Sequence, residues 1–388
     1  MSTSTVQPAT GQAEEPNPPS TPAANVGGAR PIRSLIGLAG VVVTCIVAGN
    51  LFIVLGGETA LGEIPKLLQA VIAIVAGLGG SMALFFFVNM AAEGLARRWE
   101  ERVKPYVFLL PAYGLIGLFI VYPTILTINN SFANDDTTEF VGVSNYTEIL
   151  GDPSFRETLL NNLLWIIIVP ATTVFIGLIV AVLADKLNER GEKLAKSLVF
   201  LPMAISFVGA ATIWKFVYDI NSTGGQIGLL NGIVTAIGFE PVSWLSTQTL
   251  QLNDILLMVI LIWLQVGFSM VLLSAAIKGV PEETLEAARI DGANEFKIFW
   301  LVTVPQIRVT ITAVFVTVLI LVLKVFDVVY VMNNGRDGTS VIGLDFFRQI
   351  FDFGNYGVAA AIVVLLIIAI VPVLIYQIRS FRAEEANR

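Results

Sequence analysis

Apolar residues arrive along this chain in long runs, separated by shorter polar stretches. A helix needs about 20 mostly apolar residues to cross a bilayer. Eight runs meet that need, at about 35–55, 67–91, 106–128, 162–184, 197–218, 254–277, 310–332 and 357–379. The pattern therefore predicts an all-α polytopic membrane protein with eight transmembrane helices. One further apolar stretch, within "NSTGGQIGLLNGIVTAIGF" of the 219–253 segment, is too brief to span and reads as an interfacial or re-entrant helix. Residues 1–30 are rich in Pro, Ser, Thr and Ala, show no apolar periodicity, and read as a disordered tail. They lack the basic start and apolar core of a signal peptide.

Charge placement tests the count, because cytoplasmic loops carry an excess of Lys and Arg. With the N-terminus inside, the inner segments hold Arg30 and Arg33; Arg97, Arg98, Arg102 and Lys104; Lys186, Arg190, Lys193 and Lys196; Lys278, Arg289, Lys297 and Arg308; and Arg379, Arg382 and Arg388. The outer loops keep only Lys66, Arg156, Arg336 and Arg348, and an odd number of spans would scramble the alternation. Both termini are therefore expected to be cytoplasmic. Composition agrees: 55% of the 388 residues are hydrophobic, 14% are charged, and mean hydropathy is +0.78, where soluble domains carry about a quarter charged residues.

Several chemistries are excluded at once. The one cysteine, Cys45, lies inside an apolar run, so no internal disulfide can form and a cysteine-based metal site is implausible. Histidine is absent, which removes Ser-His-Asp and Cys-His nucleophile schemes, HExxH zinc sites and histidine relays. No lysine follows a glycine, so there is no GxxxxGK[ST] phosphate loop, and any ATP would be hydrolysed by another chain. No cofactor is expected on this chain.

The polar stretch 278–309, "KGVPEETLEAARIDGANEFKIFWLVTVPQIRV", stands out between two spans. Pro281 suits the first position of a helix, with Glu282 and Glu283 at its positive end. Asp291-Gly292 is a turn signal. A second helix is expected from about Ala293, with Phe296, Phe299, Trp300 and Thr303 on one largely apolar face. Pro305 marks a break before the next span. The product is a helix-turn-helix at the membrane surface, and the small residues Ala287, Ala288, Gly292 and Ala293 would let a partner's backbone come close.

"EAARIDGANEFKIFWLVTVP" resembles the EAA signature of permease subunits in ATP-binding-cassette importers, and the DGA variant with its downstream Phe and Pro is similar to the carbohydrate-uptake group. "FLPMAISFVGAATIWKFVYD", "GLLN", "KVFDVVYVMNNG" and "YGVAAAIVVLLIIAIV" resemble that group in the same order, so about 100 to 380 is covered. The fold implied is the type I importer transmembrane domain: two additional N-terminal helices (31–105) before a six-helix core (106–388), as in the eight-span maltose-type subunit. The segment 129–161 is too short for that protein's large extra periplasmic domain, which favours an α-glucoside or other sugar permease over maltose itself. The resemblance further implies that Glu286, Ala287, Ala288, Asp291, Gly292, Ala293, Phe299 and Pro305 belong to the docking loop for a cytosolic ATPase dimer carrying ATP-Mg, with Glu286 as acidic anchor and Gly292 allowing the turn. A second permease subunit, an extracytoplasmic sugar-binding protein and a bacterial inner-membrane location follow from the same likeness. An ordinary amphipathic loop lying on the membrane is the plainer alternative for this stretch.

Charges inside a span are costly and mark aqueous paths or paired sites. "VLKVFDVVYVMNN" would place Lys324 and Asp327 at i, i+3 on one helical face, where they can pair. Lys324 lies about 14 residues, roughly 21 Å, from the inner end of its span. The functional reading is a polar spot on the outer half of a sugar pathway, and the structural one is an ion pair locking two helices. Sugar sites combine aromatic faces with amides, so Trp214, Tyr218, Trp263, Gln265, Phe268, Ser269, Tyr330 and Asn333 are further candidates for the substrate pathway. Trp214, Lys215 and Tyr218 also suit the aromatic belt at a membrane interface, and Gln265 could equally join helices.

The rival classes fit less well. An ion-driven secondary transporter would lead one to expect buried carboxylates facing a cavity, and Asp327 is the one acid well inside a span. A membrane-embedded enzyme lacks histidine and any carboxylate pair at useful spacing. A glycerol-phosphate-type permease should favour basic groups along its path, where only Lys215 and Lys324 qualify. No nucleic-acid partner is indicated.

Overall fold

A computed structural model describes residues 31–56, 66–95, 97–221 and 224–385; the expected tail 1–30 lies outside the described residues. Two compact units divide the chain, Met1–Pro123 and Thr124–Arg388. Among the described residues the structure is helical, and extended backbone pairs in one isolated bridge, Ala133 to Phe140.

The first unit holds α1 (Pro31–Gly56), α2 (Lys66–Glu93) and α3 (Arg97–Ile116). Helices α1 and α2 pack closely because glycines remove the side chains between them. A methyl on Gly37 would stand 2.4 Å from the Ala91 backbone nitrogen, and one on Gly40 would enter the Phe87 ring. Small residues let helices approach in this way within a bilayer. Ser34 donates to the Ala91 carbonyl at 2.9 Å and Arg33 pairs with Glu93 at 3.0 Å, fixing the open end of the hairpin.

After a π-helical turn at Gly117–Val121 and α4 (Tyr122–Asn130), the second unit continues with α5 (Ser144–Gly151), α6 (Pro153–Asp185), α7 (Glu189–Phe200), α8 (Phe207–Tyr218), α9 (Leu229–Ala236) and α10 (Leu252–Lys278). It ends with α11 (Glu282–Ile290), α12 (Glu295–Ile298), α13 (Val304–Gln306), α14 (Arg308–Leu323), α15 (Asp327–Met332), α16 (Ile342–Phe351) and α17 (Tyr356–Glu385). Helices α6, α10 and α14 form the core. Trp165 and Val169 from α6, Leu257, Leu261, Leu264 and Met270 from α10, and Val314, Val318 and Val322 from α14 are buried together.

Six helical stretches among the described residues are long and apolar enough to cross a membrane, and two bent pairs bring the number to eight if each pair is one span. The breaks are where the structure departs from the apolar runs. The run 197–218 is not one helix: α7 ends in a 3-10 turn at Leu201–Ala204, Ser206 restarts the chain by accepting the Gly209 N–H, and the two parts bend by 103°. The run 310–332 is broken at 324–326, where Phe326 leaves helical geometry at φ −148°, ψ −58°. Lys324 and Asp327 therefore flank a break instead of sharing a helical face, and neither makes an ion pair among the described residues. A second bend, of 70°, falls at Ile307, two residues beyond Pro305. The short apolar stretch in 219–253 forms the eight-residue α9, anchored by buried Asn231, which donates to the Asp219 and Val242 carbonyls.

Candidate functional site

Two places gather the residues that the sequence singles out. The first is the polar stretch after α10. Pro281 occupies the N-cap of α11, so the helix begins one residue later than expected, at Glu282. Glu282 and Glu283 occupy its first turn and Arg289 its last, each matching the sign of the helix dipole there. Gly292 follows at φ +82°, a conformation that L side chains rarely adopt, so glycine makes the turn. Around it the Asp291 N–H reaches the Ala287 carbonyl at 3.0 Å and the Ala293 N–H reaches that of Ala288 at 3.1 Å. Asn294 then caps α12 by accepting the Lys297 N–H at 2.9 Å, which starts the second helix at Glu295 and not at Ala293. Arg289 pairs with Glu295 at 3.0 Å across the turn, and that carboxylate holds the guanidinium above its usual range.

Glu286, Ala287, Asp291 and Pro305 are exposed, and Ala288, Ala293 and Phe299 are half-buried. The face expected to join Phe296, Phe299, Trp300 and Thr303 is kept in part: Trp300 meets Phe296 and Phe299, with ring centroids 6.3 and 5.3 Å away, and Thr303 departs from it. A π-helical segment at Phe299–Thr303 shifts the register, so Phe296 stays 73% exposed while Thr303 is buried. Ile290 is 86% exposed on the same hairpin.

The second place lies where the two helix breaks meet α10. A cavity of about 510 Å³ is lined by Gln265 and Phe268 of α10, Ser206 and Phe207 at the first break, Thr317 and Leu321 of α14, and Asp327 at the second. A smaller one of about 160 Å³ adjoins Lys324, Phe326 and Asp327, and it shares Phe207, Leu321 and Asp327 with the first. Non-helical backbone at membrane depth is tolerated where it lines such a cavity. Gln265, Phe268 and Asp327 thus come together in one space, with Lys324 next to them.

The remaining candidates sit elsewhere. Ser269 is buried against Gly177 of α6, and its hydroxyl has no hydrogen-bond partner among the described residues. Trp214 packs on Trp263 and Tyr218, with ring centroids 5.8 and 5.2 Å away, and lines a separate apolar cavity of about 520 Å³. Tyr218 is buried with its hydroxyl on the Leu256 carbonyl, and Lys215 is exposed. Tyr330 stacks on Phe326 at 5.1 Å, and Asn333 braces its own loop through Thr339.

Sequence reasoning missed a polar network that pins the 333–341 loop. Asn161 donates to the Gly338 and Ser340 carbonyls, Asn162 accepts the Ile342 N–H at 2.7 Å, and Asn253 donates to the Asp337 carbonyl. Thr158 and Ser340 both donate to Asp345. Burial pushes the Asp345 carboxyl up, and those two hydroxyls with Arg348 work against the shift. The paired asparagines at the edge of an apolar run were the available signal.

These features describe a polytopic protein with bent helices around a cavity and an exposed helical hairpin. The chain belongs to the family described as the binding-protein-dependent transport system inner membrane component, whose profile matches residues 173–384. It is 48% identical over 283 residues to the osmoprotective compounds uptake permease of Synechocystis sp., covering 73% of this chain and 100% of that protein. It is 43% identical over 337 residues to the alpha-glucoside transport system permease of Rhizobium meliloti, covering 83% of this chain and 99% of the relative. Its fold is like that of a bacterial ABC transporter involved in importing the acidic polysaccharide alginate, with a TM-score of 0.64 at 22% identity over 74% of this chain and 99% of the other. A second alginate transporter structure, in complex with a pentasaccharide-bound periplasmic protein, gives a TM-score of 0.60 at 20% identity, over 71% of this chain and 94% of the other.

Proposed function

We propose that this chain forms half of the translocation pathway of an ATP-driven importer for a glucoside. The exposed hairpin of α11 and α12 carries the reading. A membrane protein that shows solvent Ile290 and Phe296 around a glycine turn is built to be covered, and here the cover is a cytosolic ATPase dimer with its own ATP-Mg. Glu286 is the acidic anchor, Gly292 sets the turn, and Ala287, Ala288, Asp291, Ala293, Phe299 and Pro305 complete the docking element. Both termini then lie on the ATPase side. A second permease subunit completes the pathway and a binding protein delivers the solute from outside.

The two relatives named for an alpha-glucoside and for osmoprotective compounds support the substrate class. Gln265, Phe268, Lys324, Asp327 and Tyr330 would meet the solute as the helices rearrange around the cavity. Asp327 lines both cavities and Lys324 the smaller one, so the path carries both signs of charge and suits a polar, uncharged solute. The test is co-purification under mild detergent of wild type and a Glu286→Lys, Gly292→Asp double variant. A nucleotide-binding chain and a second permease should accompany the wild type, and the double variant should lose the ATPase alone. An ATPase that stays bound to the double variant would remove the docking role.

A further inference from the structure

Four aromatic rings form an unbroken row from the surface of the second unit to the helix break. Phe351, at the end of α16, is 68% exposed. One turn back along the helix is Phe347, with the two ring centroids 4.6 Å apart. Phe347 in turn meets Tyr330 at 5.2 Å and Phe326 at 4.9 Å. Phe326 and Tyr330 stack on each other at 5.1 Å with an interplanar angle of 23°. Phe326 also lines the 160 Å³ cavity, which runs on through Asp327 to the larger one.

Two features of the chain put the row there. Gly343 lets α16 settle onto the break, since a methyl at 343 would stand 2.7 Å from the Val325 carbonyl oxygen. The i, i+4 spacing of Phe347 and Phe351 then places their rings one above the other on the same face. The ring faces stay open at both ends of the row. Buried aromatic rings contribute by leaving water, yet Phe351 remains 68% exposed and Tyr330 42% exposed.

We infer that this row is an aromatic track that receives the apolar faces of pyranose rings and passes them to the break at 324–326. The inference rests on the sugar reading proposed above. A pyranose presents C–H groups on its faces, which suit the electron-rich face of an aromatic ring, and hydroxyls at its edge. Successive rings about 5 Å apart offer the sugar a new face before it leaves the old one, so no single site holds it tightly. At the inner end, Asp327 and Gln265 take up the hydroxyls that were solvated outside.

The experiment uses the complete importer with its binding protein, reconstituted in vesicles with ATP, and measures uptake of radiolabelled sucrose, maltose and trehalose. Phe347→Leu and Phe351→Leu keep the apolar volume and remove the ring, whereas Phe351→Trp keeps a ring. Each leucine variant should lower uptake about fivefold, the scale of one aromatic contact, while Phe351→Trp transports like wild type. ATP hydrolysis without sugar should not change in either leucine variant, and Phe351→Leu, at the exposed end, should melt like wild type, whereas Phe347→Leu loses three ring contacts and should melt lower. Wild-type uptake in the leucine variants would overturn the track and leave the sugar reading standing. Loss of the second permease from Phe351→Leu on gel filtration would overturn it in favour of a subunit contact. A wild-type importer that moves none of the three sugars would overturn the sugar reading and the track with it.

Discussion

Gly177 of α6 lies against Ser269 of α10 so closely that a methyl at 177 would stand 2.3 Å from the serine Oγ. Ser269 is one turn along from Gln265, so this contact sets how near α6 comes to the cavity-lining part of α10. The glycine is there for space and not for conformation. Gly177→Val should lower the thermal midpoint of the purified subunit, with an overpacking cost of about 1–3 kcal/mol. Ser269→Ala should leave the midpoint unchanged, because its hydroxyl bonds to nothing among the described residues. Differential scanning of the two variants checks both.

A second cluster ties three helix ends together. Glu192 of α7 accepts from Lys196 of the same helix and from Lys278 at the end of α10, and Lys278 also reaches Asp185 of α6 at 3.3 Å. Lys196 donates to Ser274 as well. Nearby, Glu189 and Lys193 make an ordinary pair whose side chains are 82% and 75% exposed. Exposed pairs of that kind contribute little and are screened by salt. Glu192→Gln should therefore lower the melting temperature more than Glu189→Gln, and the difference should shrink in high salt.

Lys324 and Asp327 are expected to bear on transport more than on stability. Neither has an ion-pair partner among the described residues, and both face the cavities at the break. Asp327→Asn and Lys324→Gln should melt like wild type in detergent. Asp327→Asn should reduce vesicle uptake about tenfold, the scale of a lost hydrogen bond to a charged group. A variant that melts early instead would make Asp327 a structural residue.

Much of the fold was legible because apolar runs and basic loops are local properties of the chain. The hairpin's signals at Pro281, Glu282, Glu283 and Asp291-Gly292 are also short-range, and the Asp-Gly turn is found at Gly292 with φ +82°. The break after Pro305 is legible in the sequence and appears as the 70° bend, but those inside the runs 197–218 and 310–332 are not, because hydropathy averages over a window and registers a broken helix as one run. Local signs were present all the same: Pro202 and the capping Ser206 at the first break, and Lys324 ending one helix before Asp327 opens the next at the second. The aromatic row had no comparable local sign, and the paired asparagines at 161 and 162 signalled a polar contact without showing its partner. Phe347 lies 21 positions beyond Phe326, and Asn162 meets Ile342 across 180, so only the folded chain brings them together.

The most direct measurement is solute uptake into vesicles that hold the complete importer, with and without ATP at the ATPase side, for wild type and for Glu286→Lys, Gly292→Asp. Uptake of an α-glucoside that requires ATP, and that the double variant loses, is the result expected of a pathway subunit driven through its exposed hairpin. Uptake that proceeds without ATP on an ion gradient, and that the double variant retains, would contradict it.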